Sequence, residues 1–174
     1  MSNYFLWYPK VQYCVSVLEP MKKVKKPIRV VASGVFDLLH LGHVSYLTQA
    51  AKLGDELVVI IARDVTVKRR KGPPFNDEKT RQKIVSSLGC VSKTVLGEVA
   101  SDDHLKTILR IKPDIIALGY DQHIDPKQLQ QKIADETGLK VEVVRTPQFQ
   151  GLFSKTQLIY KHIFAYYRDK QDHG

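Results

Sequence analysis

Two histidines three positions apart, His40 and His43, enclose a glycine, Gly42, in the stretch SGVFDLLHLGH at residues 33–43. Imidazoles at that spacing on the first turn of a helix project to one side. There they can bind a metal, hydrogen-bond a phosphate or simply pack. Zinc requires a third and fourth ligand at similar reach, and no Cys/His cluster in the chain supplies them. Packing is the commonest role of any single histidine. A glycine between two histidines removes a side chain where a bulky ligand would meet the backbone, and the phosphate reading uses all three residues.

The elements around this stretch decide what it can do. IRVVAS (28–33) is a β-branched apolar run that reads as a buried strand. A helical pattern follows, with Val44, Leu47 and Ala51 on one face and Gly54 as its C′ residue. Four more runs read as strands: ELVVIIAR (56–63), VSKTVLG (91–97), DIIALG (114–119) and KVEVVRT (140–146). DEKTRQKIVSSLG (77–89), DDHLKTILRIK (102–112) and PKQLQQKIADETG (126–138) read as helices, the last with Pro126 at N1 and Gly138 at its end. KRRKGPPFN reads as a basic, proline-containing loop, and a final helix runs from about Ser154 to Arg168. Apolar strands alternating with helices define the α/β class: a single-domain, Rossmann-like, doubly wound five-stranded parallel sheet covered on both faces.

Such sheets bind ligands beyond the carboxyl ends of their strands, near the switch in strand order. Residues 33–43 stand at that end of the first strand. Gly34 lets the backbone turn sharply, and the N–H groups of the following helix face the crevice, which favours an anion.

The chain divides into an N-terminal extension (1–26), the domain (27–168) and a polar tail (169–174). The opening MSNYFLWYPKVQYCVSVL reads either as an extension or as an ordered edge strand over VQYCVSVL. It lacks the basic region and small-residue cleavage site of a secretory signal. No apolar stretch approaches the roughly 20 residues of a membrane span, so the expected location is cytoplasmic, with no membrane partner. Cys14 and Cys90 suit free thiols in a reducing compartment. The net charge of +9 fits nucleic acid, a solvated lysine face or a polyphosphate substrate. Its densest run, Lys68-Arg69-Arg70-Lys71, is a phosphate clamp or a basic loop.

Four further segments stand at strand ends or helix starts. Taken singly, each has an ordinary explanation. Glu78 and Arg81 suit a solvated pair on a helix face, and Tyr120-Asp121-Gln122 a common turn. Arg145 at a strand end suits a surface ion pair, and Ser154 a helix N-cap. Their shared placement after strands and at helix starts favours one crevice.

GVFDLLHLGH resembles the G-x-F-D-x-x-H-x-G-H signature of the nucleotidyltransferase superfamily that includes cytidylyltransferases and adenylyltransferases. The H-x-G-H tetrapeptide is shared with class I aminoacyl-tRNA synthetases; the longer string is more specific. The resemblance runs from Ile28 to about His162. DEKTR places Glu78 and Arg81 at the family's E-x-x-R element, and LGYDQ (118–122) resembles its nucleotide-side motif. RTPQFQGLFSKT (145–156) resembles the R-T-x-x-x-S-[ST]-[ST] element, with Lys155 in place of a second hydroxyl and a longer spacing after Arg145-Thr146.

That resemblance implies nucleotidyl transfer, in which an acceptor phosphate attacks the α-phosphorus of a nucleoside triphosphate. It implies that His40 and His43 hydrogen-bond phosphate oxygens and that Val35 and Phe36 present backbone to the nucleotide. Leu41, Gly42 and Gly119 complete the nucleotide site, with Asp121 at the ribose or base and Ser154 and Thr156 at the outer phosphates. Lys68 or a neighbour, with Arg145, neutralises the acceptor or the leaving pyrophosphate. Mg²⁺ is expected, bound mainly through substrate phosphates and water rather than by protein ligands. The chain is most like the archaeal-type FAD synthetases, which adenylylate FMN with ATP. The alternative is a cytidylyltransferase using CTP and glycerol 3-phosphate or another small phosphomonoester. A non-catalytic nucleotide- or RNA-binding module is the reading from another class; the paired imidazoles argue against a pure binder, and the lack of an anticodon-type or appended RNA-binding domain argues against a synthetase. Relatives on this scaffold are often dimers, which leaves room for a homodimer.

Overall fold

The computed structural model describes residues 25–99, 104–151 and 155–171. Strands and helices alternate from β1 (Arg29–Gly34) through α1 (Leu41–Ala51), β2 (Glu56–Ile61), α2 (Asp64–Lys71) and α3 (Glu78–Ser86). They continue through β3 (Lys93–Leu96), α4 (His104–Ile111), β4 (Ile115–Leu118), α5 (Pro126–Thr137) and β5 (Glu142–Arg145) to α6 (Thr156–Gln171). The five strands form one parallel sheet in the order β3-β2-β1-β4-β5. This is the expected doubly wound architecture.

Successive residues of a strand point to opposite faces, and here both faces are buried. Val30 and Ala32 of β1 join Leu57, Val59 and Ile61 of β2 on the face covered by α1 and α3, through Leu47, Ala50 and Val85. Val31 and Val58 join Ile116 and Val143 on the other face, against Ile108 and Ile111 of α4 and Ile133 of α5. Two covered faces explain why the strands read as unbroken apolar runs. The chain runs outward from β1 to β2 and β3, then restarts on the other side with β4 and β5, so the switch in order falls between β1 and β4.

Local chemistry sets most helix ends. Asp77 caps α3 through the N–H groups of Lys79 and Thr80, and Asp125 caps α5 through that of Gln128. Pro126 and the left-handed Gly138 close the two ends of α5 as the sequence implies. Three expectations are corrected. The basic run is not loop: Lys68 to Lys71 form the last turn of α2, where positive charge meets the negative end of the helix dipole. Helix α3 stops at Ser86 rather than at Gly89. Gly54 is not the C′ residue of α1, whose cap is Lys52. Its missing side chain serves packing instead, since a Cβ there would stand 2.7 Å from the Ile28 carbonyl oxygen. The edge-strand reading of VQYCVSVL, Cys14 and Ser154 lie outside the described residues, among which no helix is long and apolar enough to cross a membrane.

Candidate active site

Beyond Ala32 and Ala117 the β1–β4 ladder stops, and two side chains take its place. The Tyr46 hydroxyl accepts from the Ser33 N–H (3.3 Å) and donates to the Ala117 carbonyl (2.8 Å). Gln122 accepts from the Gly119 N–H and donates to the Ser33 carbonyl, both at 3.1 Å. The strand ends are thus parted, yet their polar groups are satisfied. That opening is the crevice at the switch point.

Over it lies the turn from β1 to α1. Phe36 takes a left-handed backbone (φ 52°) with its ring buried, a conformation that surrounding structure must hold in place. A Cβ on Gly34 would come within 2.8 Å of that ring, so glycine is required there by close approach. The Phe36 ring meets His43 edge-on at 5.3 Å and lies parallel to Tyr46 at 6.3 Å. His40 stands at the N-cap of α1 without a side-chain cap, and no acidic residue occupies the first turn. The helix therefore presents its positive end, and the N–H groups of Leu41 and Gly42 have no partner within the helix.

The two imidazoles stack at 3.7 Å between ring centres. Burial, then His40, then Lys71 push His43 down to about 4, against the pull of Asp37. Burial also lowers His40, against the pull of Asp121. Both rings are accordingly neutral near pH 7, and each carries one N–H. Both Nδ1 atoms are buried without a hydrogen-bond partner. An orphaned buried N–H is worse than an orphaned lone pair, so the available partners assign the proton to Nε2, the atom left to donate to a ligand.

A second layer holds this turn. The Asp37 carboxylate accepts from the N–H groups of Phe75 and Asn76 (2.8 Å each), and Asn76 donates back to the Asp37 carbonyl. Arg81, fully buried, donates to the carbonyls of Val35, Ala62 and Asn76 and pairs with Asp64 at 2.6 Å. Glu78 pairs with Arg63 and accepts from the Asp64 N–H. Glu78 and Arg81 are therefore no solvated pair; they fasten the turn to α2 and α3. Arg145 fills a similar role across the crevice, its guanidinium donating to the carbonyls of Gly119, Gln122 and Ile124.

Val35, Phe36, His40, Leu41, Gly42 and His43 stand together at the turn, and Gly119 and Asp121 face them from the loop after β4, the Asp121 charge reaching His40. Lys155 brings the third segment to this loop, its ammonium 5.7 Å from the centre of the Tyr120 ring, with Thr156 opening α6 beside it. Lys68 is exposed on α2, and it is Lys71, one turn on, whose charge reaches His43. Sequence reading assigned no role to Tyr46, Asp37 and Gln122. Asp37 and Gln122 lay within the quoted motifs; Tyr46 carried only its place one turn past His43. Among the described residues no cluster of three His, Cys, Asp or Glu side chains could hold a metal.

A parallel sheet opened at its switch point, with paired imidazoles over an uncapped helix start, defines a nucleotidyltransferase scaffold. The Cytidylyltransferase-like family model matches residues 31–170, and the chain belongs to this family. It is 45% identical over 136 residues to an FAD synthase of Thermoplasma volcanium, covering 78% of this chain and 94% of that one. An FAD synthase of Pyrococcus abyssi is 45% identical over 144 residues, 82% of this chain and 96% of the relative. A crystal structure described as a lipopolysaccharide core biosynthesis protein from Thermoplasma volcanium GSS1 superposes with a TM-score of 0.68 at 46% identity, covering 72% of this chain and all of that one.

Proposed function

We propose that this protein is an FMN adenylyltransferase, which transfers AMP from ATP to FMN to give FAD and pyrophosphate. The observation that carries the reading is the stacked, neutral His40–His43 pair at the start of α1, beside a crevice built at the switch point. The acceptor is inferred from likeness to the two FAD synthases.

In this reaction an FMN phosphate oxygen forms a bond to the α-phosphorus of ATP. The bond from that phosphorus to the bridging oxygen breaks, and pyrophosphate leaves with the electron pair. The protein's part is positioning and electrostatics. The Nε2–H groups of His40 and His43 donate to α-phosphate oxygens as charge builds on them. The free N–H groups of Leu41 and Gly42 and the backbone of Val35 and Phe36 receive the nucleotide beside them. In this reading Asp121 contacts the ribose or base, and Ser154 and Thr156 contact the outer phosphates. Lys68 and Lys71 supply positive charge for the acceptor or the leaving pyrophosphate, and Arg145 acts by fixing the loop that carries Gly119 and Asp121. A divalent cation suits this site as a partner of the phosphates, because the Asp37 carboxylate is committed to backbone N–H groups; when bound, it neutralises phosphate charge. These substrates fit a cytoplasmic enzyme.

Purified protein offered FMN with ATP should release pyrophosphate and form FAD. Pyrophosphate from CTP with glycerol 3-phosphate or phosphoethanolamine, and none from FMN with ATP, would sink the acceptor assignment. His43→Ala should lower turnover by about 10²- to 10³-fold while the fold persists, and unchanged turnover would remove His43 from the mechanism.

A further inference from the structure

We propose that Phe75 is the platform on which the planar ring system of the acceptor stacks, and so a determinant of acceptor choice; the inference rests on the FMN reading above. Phe75 is 74% exposed. Single exposed apolar side chains are ordinary, but this one is held stiffly. Gly72, at φ 86° and with open space around it, turns the chain out of α2. Pro73 and Pro74 then fix the backbone ahead of Phe75. The Asp37 carboxylate clamps the N–H groups of Phe75 and Asn76, and Arg81 clamps the Asn76 carbonyl. A backbone gripped from three sides while its aromatic ring stands in water is ordered in advance for a flat partner, which lowers the entropic cost of binding.

The location gives the partner its chemistry. Asp37, which anchors Phe75, lies in the turn that leads into α1, and its charge reaches His43. Leu41, next to His40, is 65% exposed and offers a second apolar surface at this edge of the site. The exposed last turn of α2, Lys68 to Lys71, ends one residue before Gly72. An exposed aromatic ring adjoining a cationic turn fits an acceptor with a flat conjugated ring at one end and a phosphate at the other. A ringless phosphomonoester would use the cations and leave Phe75 idle.

The test compares full-length wild type, Phe75→Ala and Phe75→Tyr in FAD formation, with KM measured separately for FMN and ATP. Binding of FMN is followed by quenching of its fluorescence, which stacking on an aromatic ring produces. Phe75→Ala should raise the KM for FMN roughly tenfold or more and weaken quenched binding in parallel, while the KM for ATP stays within about twofold of wild type. Phe75→Tyr should restore both FMN readouts. If wild type forms FAD but Phe75→Ala keeps its KM for FMN, the platform is overturned and the activity stands. A wild type that forms no FAD overturns both.

Discussion

His40 and His43 illustrate how two ordinary side chains become a tuned pair. With ring centres 3.7 Å apart, each ring is held toward its neutral form chiefly by burial, and for His43 the neighbouring His40 adds to that cost. His43, held at about 4, stays neutral in the folded chain while an unfolded chain protonates near 6.5. Between those values the unfolded state binds more protons, so stability rises with pH across the window. The contribution is complete above 6.5 and is lost as pH falls toward 4; the gap is worth on the order of 3 kcal/mol. Urea unfolding at pH 7, 6 and 5 should show this slope, and His43→Asn should flatten it. A triphosphate beside the pair reverses the balance by favouring the charged form. In a histidine NMR titration, an unreactive ATP analogue should therefore move the His43 transition upward from about 4, and an unmoved transition would place the phosphates elsewhere.

At the scale of elements, Arg81 joins four pieces of chain: the turn after β1, the end of β2, the start of α2 and the residues before α3. Arg81→Met would leave three carbonyls and the Asp64 carboxylate without their partner. Breaking such a buried pair costs about 3–5 kcal/mol, and the partial exposure of Asp64 argues for the lower end. A fall of that size in the unfolding free energy from urea titration, with KM raised for both substrates, is the expected result; a loss confined to turnover would make Arg81 catalytic instead. The helices and strands themselves were legible because periodicity, caps and glycines are local signals. Helix α2 was missed because its short run of charged residues carries no apolar stripe, and the following Gly-Pro-Pro suggested loop throughout. The imidazole pair was legible from spacing, since one turn of helix fixes it. The partners of Arg81 and Arg145 were not, because carbonyl acceptors have no residue type and are brought together only by tertiary structure.

Across the whole molecule, sheet order brings together segments far apart in the chain, Ser33 at the end of β1 and Gln122 after β4, 89 residues on, among them. The net charge of +9 then acts on substrates that carry phosphates. Oppositely charged partners are drawn in faster, and salt screens that attraction. The apparent kcat/KM for FMN and ATP should therefore fall as ionic strength rises from about 0.02 to 0.3 M; a flat profile would confine the charge to solubility. The mouth of the crevice answers to a different variable. Burial holds the Tyr46 proton well above the usual tyrosine range, and this hydroxyl bridges the parted ends of β1 and β4. A phenol that does not ionise in moderately alkaline solution is a fixed gauge. The width it sets between the two strands stays constant where ordinary tyrosines begin to lose their protons, so an alkaline loss of activity would originate elsewhere, with this frame unchanged.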